Sequence, residues 1–223
     1  MKNKKFLSLL CLLLPILILG CQESKTSQNQ ASSSPVATPS TPSPQPTTIP
    51  GWKKFEGRGA QLQLPESYDG GDLSKDLDAI VQKLEAGGST FKQTAQIIKQ
   101  NPSLFVIWVF DTKVGKSGVM TNVNVTTEAV VSAITLDIYL DLFAKQLPKE
   151  WRIVEQKIVS LDRYQAGQTI TEFTVSGVNG KQIIYTIKEG NNIWNVTFST
   201  SADEFAERLP TFQKSINTFW GGS

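Results

Sequence analysis

The chain contains no histidine, and its two cysteines lie close together near the N-terminus, at positions 11 and 21. Without an imidazole, a Ser-His-Asp triad, a histidine general base and the usual transition-metal sites are excluded. If cleavage of an N-terminal signal removes Cys11, Cys21 is left alone and the mature chain can form no internal disulfide. The side chains left for chemistry are carboxylates, lysine, serine and tyrosine. The sequence therefore predicts a protein that is not an enzyme and that holds no cofactor or metal ion.

The N-terminal segment has the three parts of an export signal. Three lysines precede an apolar stretch from Phe6 to Leu19, which is shorter than the roughly 20 residues that a membrane-spanning helix needs. We interpret residues 1–20 as a signal peptide. The sequence Ile18-Leu19-Gly20-Cys21 resembles the bacterial lipobox, and this resemblance implies cleavage before Cys21 and acylation of its thiol with palmitate-type chains. The alternative is an ordinary secretory signal that happens to end at a cysteine.

The segment that follows Cys21 is almost entirely Ser, Thr, Pro and Gln, and six of the 11 prolines lie between Pro35 and Pro50. So little apolar surface cannot offset the entropy of folding, which predicts a disordered tether over 21–50 that begins at the lipidated cysteine. Without the three lysines of the signal, 19 Lys and Arg face 20 Asp and Glu. This balance indicates no nucleic-acid partner.

Residues 51–223 have the pattern of one globular domain that mixes strands and helices. Expected helices lie at 72–86, 90–100, 135–147 and 202–219, the last with a capping box of Ser201 and Glu204 and with Pro210 kinking or restarting it. The expected strands are 52–55, 60–64, 104–110, 119–125, 151–159, 168–175, 181–187 and 193–199. Residues 119–125 alternate with polar partners along the strand, which predicts that one of its faces is exposed. Short turns between successive strands predict an α+β fold, with a single antiparallel β-sheet packed by helices.

Both ends of this domain resemble the PsbP-like family. The residues concerned are the stretch from Gly59 to Tyr68, which leads into Pro-x-x-aromatic, and the stretch from Trp194 to Phe219, with its last strand and final helix. The resemblance implies an α/β/α sandwich and a non-catalytic binding or assembly role. The family includes extrinsic subunits of photosystem II, the bacterial lipoprotein DcrB and a Ran-binding nuclear transport factor. An association with a photosystem is implied only for a cyanobacterial source.

One short motif resembles a catalytic motif. Ser89-Thr90-Phe91-Lys92 matches the S-x-x-K of class A β-lactamases, and Lys116-Ser117-Gly118 resembles their lysine strand motif. The two motifs are only 27 residues apart and the S-D-N motif is missing. We therefore interpret Ser89 and Thr90 as the start of a helix, and an acyl hydrolase using Ser89 and Lys92 stays the least favoured alternative.

An aromatic and basic cluster marks the junction between tether and domain. Trp52, Lys53, Lys54 and Arg58 form a candidate contact surface for lipid headgroups or for an acidic partner, although a core tryptophan with solvated lysines explains the same residues. The sequence as a whole predicts a non-catalytic module anchored through Cys21 at the periplasmic or extracellular side of a bacterial membrane. We expect an envelope or membrane-protein partner. A carrier or sensor of a small ligand is the alternative.

Overall fold

The computed structural model describes residues 48–87, 89–175 and 177–222. Cys21, the signal peptide and most of the tether therefore lie outside the described residues. The described strands are β1 (Trp52–Gly57), β2 (Ala60–Pro65), β3 (Tyr68–Gly71), β4 (Ile107–Asp111), β5 (Asn122–Ala129), β6 (Arg152–Ser160), β7 (Gln165–Val175), β8 (Val178–Glu189), β9 (Asn192–Ser201) and β10 (Trp220–Gly221). The helices are α1 (Leu73–Ala86), α2 (Ser89–Gln100), α3 (Leu136–Gln146) and α4 (Phe205–Ile216).

A seven-stranded sheet dominates the molecule, with the strand order β3-β4-β5-β9-β8-β7-β6 and antiparallel pairing throughout. The predicted α+β class, with helices packed on an antiparallel sheet, is confirmed. The structure adds a feature that the sequence did not predict: β1, β2 and β10 form a second sheet of three strands. The N-terminal hairpin and the C-terminal end of the chain meet in this small sheet.

One face of the large sheet carries the main apolar core. Alternate residues of the central strands point to this side, and α4 and the small sheet cover it. Phe212 of α4 is completely buried and its ring stacks on Phe198 of β9, with centroids 5.0 Å apart. Leu62 and Leu64 of β2 are equally buried in the same cluster. We call this side the core face.

On the opposite face the helices pack mainly over its two ends. Trp108 and Phe110 of β4 join a second apolar cluster with α1 and α2. At the other end α3 packs on β7 and β8, so closely that a Cβ placed at Gly167 would lie 2.6 Å from Leu140 Cδ1. Neither helical cover is centred on β5 and β9, which lie between them in the sheet.

Two local expectations are wrong in detail. A 3₁₀ turn (Pro102–Leu104) precedes β4, so the strand begins at Ile107. The capping box is absent, because the carboxylate of Glu204 binds Ser117 and Arg208 and gives α4 no side-chain cap. Pro210 lies inside α4, which does not restart there, and a kink at Pro210 stays a prediction. The binding of Glu204 to Ser117, which is distant in sequence, explains the missing capping box.

No helix within the described ranges is both long enough and apolar enough to cross a membrane.

Candidate binding site

The side of β5 and β9 that faces away from the core carries only neutral polar side chains over three successive positions of each strand. We call these six residues the polar floor: Asn122, Asn124 and Thr126 on β5, and Asn195, Thr197 and Ser199 on β9. The adjacent positions on the same strands are Val123, Val125, Val196 and Phe198, all fully buried in the core. Because successive side chains of a strand point to opposite faces, this alternation produces the polar floor.

The register of β5 and β9 aligns these six residues in three directly opposed pairs. Asn122 pairs with Ser199, Asn124 with Thr197, and Thr126 with Asn195. Opposed residues have Cβ atoms about 5 Å apart, and successive pairs along the strands are about 7 Å apart. The six side chains therefore form a regular grid of amides and hydroxyls in the middle of the sheet.

Hydrogen bonds fix one part of the polar floor. The Nδ2 of Asn195 donates to the Tyr139 hydroxyl of α3 at 3.0 Å, and its Oδ1 accepts from the Thr186 hydroxyl at 2.7 Å. The hydroxyl of Ser199 donates to Gln182 Oε1 at 3.2 Å. These contacts bind the β9 side of the floor to β8 and to α3, so its shape is defined before any ligand arrives.

Another part of the polar floor has hydrogen-bonding groups without a protein partner. Asn124 is 4% exposed and Thr197 is 8% exposed, yet neither side chain makes a hydrogen bond to another described residue. On the same face, the hydroxyls of Thr171 and Ser201 are buried and lack a partner among the described residues. A buried unpaired atom also occurs on the core face, at Trp194 Nε1, so the distinctive feature of the floor is the pair Asn124 and Thr197, which lie directly opposite each other with free hydrogen-bonding groups.

A carboxyl group stands at one end of the polar floor. The Tyr139 hydroxyl donates to Glu128 Oε1, and Glu128 is two residues beyond Thr126 on the same face of β5. Burial raises the pKa of Glu128, and this effect outweighs the hydrogen bond from Tyr139, which lowers it. Burial also raises the pKa of Tyr139, as does the nearby carboxylate of Glu128. Tyr139 is therefore neutral at physiological pH and acts as a hydrogen-bond donor to the carboxyl group.

The arrangement is suited to binding and does not provide a catalytic set. The six floor residues include hydroxyls and amides but no thiol, lysine or arginine, and the chain has no histidine to activate a hydroxyl. No group of three or more potential ligating side chains that could hold a metal ion occurs in the part of the chain that the structure describes. What the floor supplies is a preformed set of neutral donors and acceptors.

The predicted contact surface is distributed over two sides of β1. Strand alternation places Trp52 and Lys54 on one side and Lys53 on the other. The ammonium group of Lys214 lies 5.0 Å from the centroid of the Trp52 ring, and that of Lys53 lies 5.3 Å from the ring of Phe55. Lys54 forms an exposed ion pair with Glu56. A contact role for these residues stays a prediction.

Arg58 has a structural role at the β1–β2 turn. Its backbone φ of 32° lies in the left-handed region, which is uncommon for a residue other than glycine. The guanidinium donates to the backbone carbonyl of Ser103 at 3.1 Å and to that of Phe105. Arg58 thus connects the small sheet to the segment that leads into β4, which reduces its availability to a partner.

The residues of the S-x-x-K motif are not brought to the polar floor. The side chain of Ser89 lies outside the described residues, and Lys92 is exposed on α2. The Ser117 hydroxyl of the second motif donates to Glu204 Oε1 at 2.9 Å, and so holds the β4–β5 loop against the start of α4. Asp72 caps α1 by accepting from the Ser74 amide at 2.9 Å, while Asp76 and Asp78 are exposed on that helix.

A charged network that sequence reasoning missed connects α4 to β4. Arg208 donates to Asp111 Oδ2 at 2.8 Å and to Glu204 Oε2 at 3.1 Å, and it also hydrogen-bonds to the buried Tyr68. Burial raises the pKa of Glu204, but hydrogen bonds from Ser117 and Arg208 outweigh it, and the net shift is downward. Every group of this network has a partner within the fold, which indicates a structural role.

No protein-family model matches the chain, and no curated protein sequence does. Solved structures to which it is similar include PsbP of the cyanobacterium Synechocystis (11% identity over 81% of this chain and 98% of that one, TM-score 0.48). A second is LpqN, involved in cell envelope biogenesis of Mycobacterium tuberculosis (10% identity over 75% of this chain and 90% of that one, TM-score 0.45). A third is the Ran-binding protein Mog1p of Saccharomyces cerevisiae (9% identity over 76% of this chain and 95% of that one, TM-score 0.45). Such low identities and TM-scores transfer no partner or activity.

Proposed function

We propose that the protein is a non-catalytic binding or assembly module, held at the outer face of a bacterial membrane by lipid on Cys21. The lipobox-like sequence before Cys21 and the Pro-rich tether support the anchor. Two or more acyl chains give the stable attachment that a single chain does not provide. In this proposal the tether extends the domain away from the bilayer, and the polar floor binds the ligand or partner.

The observation that carries the binding role is the pair Asn124 and Thr197. These side chains lie opposite each other at the centre of the floor, are almost entirely buried, and have no described hydrogen-bond partner. Their polar atoms are not among the fully buried unpaired atoms of the described residues, so they keep some contact with solvent. Two such groups in register on one face of a sheet can both be hydrogen-bonded by one ligand.

The binding role is tested by recovering the full-length, lipidated protein from gently solubilised native membranes and identifying what it retains. We expect the wild-type protein to carry a stoichiometric partner or ligand that Asn124→Ala and Thr197→Val lose. Thr127→Val is the matched control, because Thr127 is adjacent to the floor residue Thr126 on β5 but points to the other face of the sheet. Equal recovery with all four proteins would contradict a role for the polar floor.

The anchor is tested independently through Cys21. We expect Cys21→Ser to leave the precursor uncut by lipoprotein signal peptidase and to abolish incorporation of a palmitate analogue. The measurement is metabolic labelling combined with mass spectrometry of the mature N-terminus. Normal cleavage of the variant would show that the segment is an ordinary secretory signal.

A small-ligand carrier is the second candidate function, favoured by the depth of the floor. Exposures of 4–8% at Asn124, Thr197 and Ser199 leave little area for a protein partner to contact directly. A small molecule is the better fit for such narrow access. Native mass spectrometry of the recovered protein separates the two functions, because a carrier retains a small mass while an assembly module retains a second chain.

A further inference from the structure

We infer that the polar floor binds an uncharged, hydroxyl-rich ligand of the oligosaccharide class, lying along β5 and β9. This inference rests on the proposed binding function and specifies its ligand. The ligand class follows from charge, from hydrogen-bonding chemistry and from the position of the two strands within the sheet.

The lack of positive charge on the floor argues against an anionic ligand. The six floor residues carry no lysine or arginine, and the ionisable group on β5 beside them is the carboxyl of Glu128. On the neighbouring β8, Lys188 is in register with Ile193 beyond the floor, and its ammonium donates to the carbonyl of Gly190 at 2.5 Å. Phosphates and nucleic acids need basic groups that the floor lacks. An acyl chain would have to desolvate amides and hydroxyls without replacing their hydrogen bonds, which is unfavourable.

The hydrogen-bonding groups of the floor complement hydroxyl groups. A side-chain amide offers two donors and one acceptor oxygen, and a threonine hydroxyl both donates and accepts. A sugar hydroxyl likewise donates and accepts, so it can pair with either kind of group. Asn124 and Thr197 supply an amide and a hydroxyl that have no described partner and lie opposite each other. A chain of sugar rings would meet such groups repeatedly along its length.

The position of β5 and β9 disfavours a peptide. β5 pairs with β4 and β9, and β9 pairs with β5 and β8, so both backbones are hydrogen-bonded on each side. An extended peptide binds by adding a strand to a free sheet edge, which is not available here. The apolar side chains beside the floor, Trp108 in register with Asn124 and Ile184 in register with Thr197, are each 3% exposed and so give a peptide little apolar surface. Recognition must therefore come from the neutral polar groups themselves.

An aromatic ring is available at the α3 border of the floor. Phe143 is half-buried and stacks on Tyr139, with centroids 6.5 Å apart and an angle of 20° between the rings. Phe143 follows Tyr139 by one helical turn, so both lie on the side of α3 from which Tyr139 reaches Asn195. An aromatic ring offers an apolar surface to the C–H groups of a sugar, beside polar groups that bind its hydroxyls.

The test measures binding of defined oligosaccharides to the full-length, lipidated protein in a detergent without a sugar headgroup, because a glycoside detergent would compete. The probes are maltohexaose, cellohexaose and chitohexaose, with polygalacturonate as the acidic comparison and a random peptide library as the peptide comparison. We expect at least one neutral hexasaccharide to bind, detected by calorimetry. Asn124→Ala and Thr197→Val should each weaken this binding about 3- to 10-fold, the equivalent of one hydrogen bond.

The controls keep this test separate from protein stability and from the proposed function. Thr127→Val should bind as the wild type does, and thermal unfolding should show that all the variants fold. No neutral oligosaccharide binding up to about 10 mM, binding of polygalacturonate or peptides alone, or binding insensitive to both floor variants would overturn the inference. If the sugars fail while Asn124→Ala still loses the native partner, only the ligand class is wrong. If Asn124→Ala keeps the native partner, the proposed site itself is wrong.

Discussion

The two faces of the large sheet are built from the same strands but treat polar groups differently. On the core face of β9, Thr200 is 2% exposed and its hydroxyl is paired with the Thr121 hydroxyl at 2.8 Å. On the opposite face of the same strand, Thr197 is nearly as buried and makes no described hydrogen bond. Folding stability accounts for the first arrangement. The second leaves hydrogen-bonding capacity available, which is the expected property of a binding surface.

Apolar packing differs between the faces in the same way. The core face has a continuous cluster of three aromatic rings. The ring centroid of Phe212 lies 5.0 Å from that of Phe198 and 6.4 Å from that of Phe205. The polar floor carries no aromatic cluster of its own, although buried apolar side chains lie beside it, Trp108 of β4 in register with Asn124 and Ile184 of β8 in register with Thr197. The difference indicates that the core face supplies most of the stability and that the floor can vary in sequence without unfolding the protein.

The largest effect is expected from removing an aromatic side chain on the core face. Phe212 is completely buried between α4 and β9, so Phe212→Ala should leave a cavity and reduce the free energy of unfolding by about 3–5 kcal/mol. Urea unfolding measures this change. Phe143→Ala, on α3 at the border of the floor, is the comparison, and we expect a clearly smaller loss because Phe143 is only half-buried. Equal losses would remove the distinction between the faces.

The next largest effect concerns the charged network that holds α4. Arg208→Leu removes the partner of Asp111, which is 6% exposed on its side chain. Breaking a fully buried pair costs about 3–5 kcal/mol, and since 18% of the Arg208 side chain is exposed we expect a loss of about 2–3 kcal/mol. Lys99→Leu, which breaks an ion pair of two half-exposed side chains, should cost less than about 1 kcal/mol. Similar unfolding free energies for the two variants would contradict a structural role of the network.

The fold followed from the sequence more completely than the site did. Turn signals, apolar periodicity and strand alternation are local, and they predicted the helices and most strands, as well as the α+β class. The alternation of Asn124 with Val123 and Val125 was visible, but it indicated an exposed position where the structure shows a buried one. Exposure at Asn124 depends on β9 and on the helical covers, which are distant in the chain.

The polar floor was missed for the same reason. β5 and β9 are separated by about 60 residues, and nothing local announces that they are neighbours in register. Had the pairing been known, the two alternating segments, Asn-Val-Asn-Val-Thr and Asn-Val-Thr-Phe-Ser, would have revealed the grid of neutral side chains. The network of Arg208, Asp111 and Glu204 also joins distant segments, and it displaced the capping box that the local motif indicated.

A matched pair of substitutions in β9 sharpens the comparison between the faces. Thr200→Val leaves the Thr121 hydroxyl buried without its partner and should reduce the free energy of unfolding by about 1–2 kcal/mol. Thr197→Val removes a hydroxyl that has no described partner, so stability should change by less than about 0.5 kcal/mol. The measurement is urea unfolding of both variants under one set of conditions. A large loss at Thr197 would mean that its hydroxyl already serves the fold.

The smallest effect is a pH dependence at the end of the polar floor. Because burial raises the pKa of Glu128, the folded protein keeps a proton on this carboxyl over a pH range in which the unfolded chain has lost it. Stability from this group is therefore greatest below its ordinary pKa of about 4.5, and it falls as the pH rises toward the higher folded value. Glu128→Gln keeps an acceptor for the Tyr139 hydroxyl but cannot ionise.

Relative to the wild type, Glu128→Gln should therefore gain stability as the pH rises above about 4.5, and the gain should level off once Glu128 is ionised in both states. Taking the difference between the two proteins cancels the opposite trend from carboxyls whose pKa is lowered, such as Glu204. Glu207→Gln, at an exposed position of α4, controls for the loss of one negative charge. A difference that shrinks as the pH rises would mean that the fold favours the carboxylate form of Glu128, and it would contradict the raised pKa of this group.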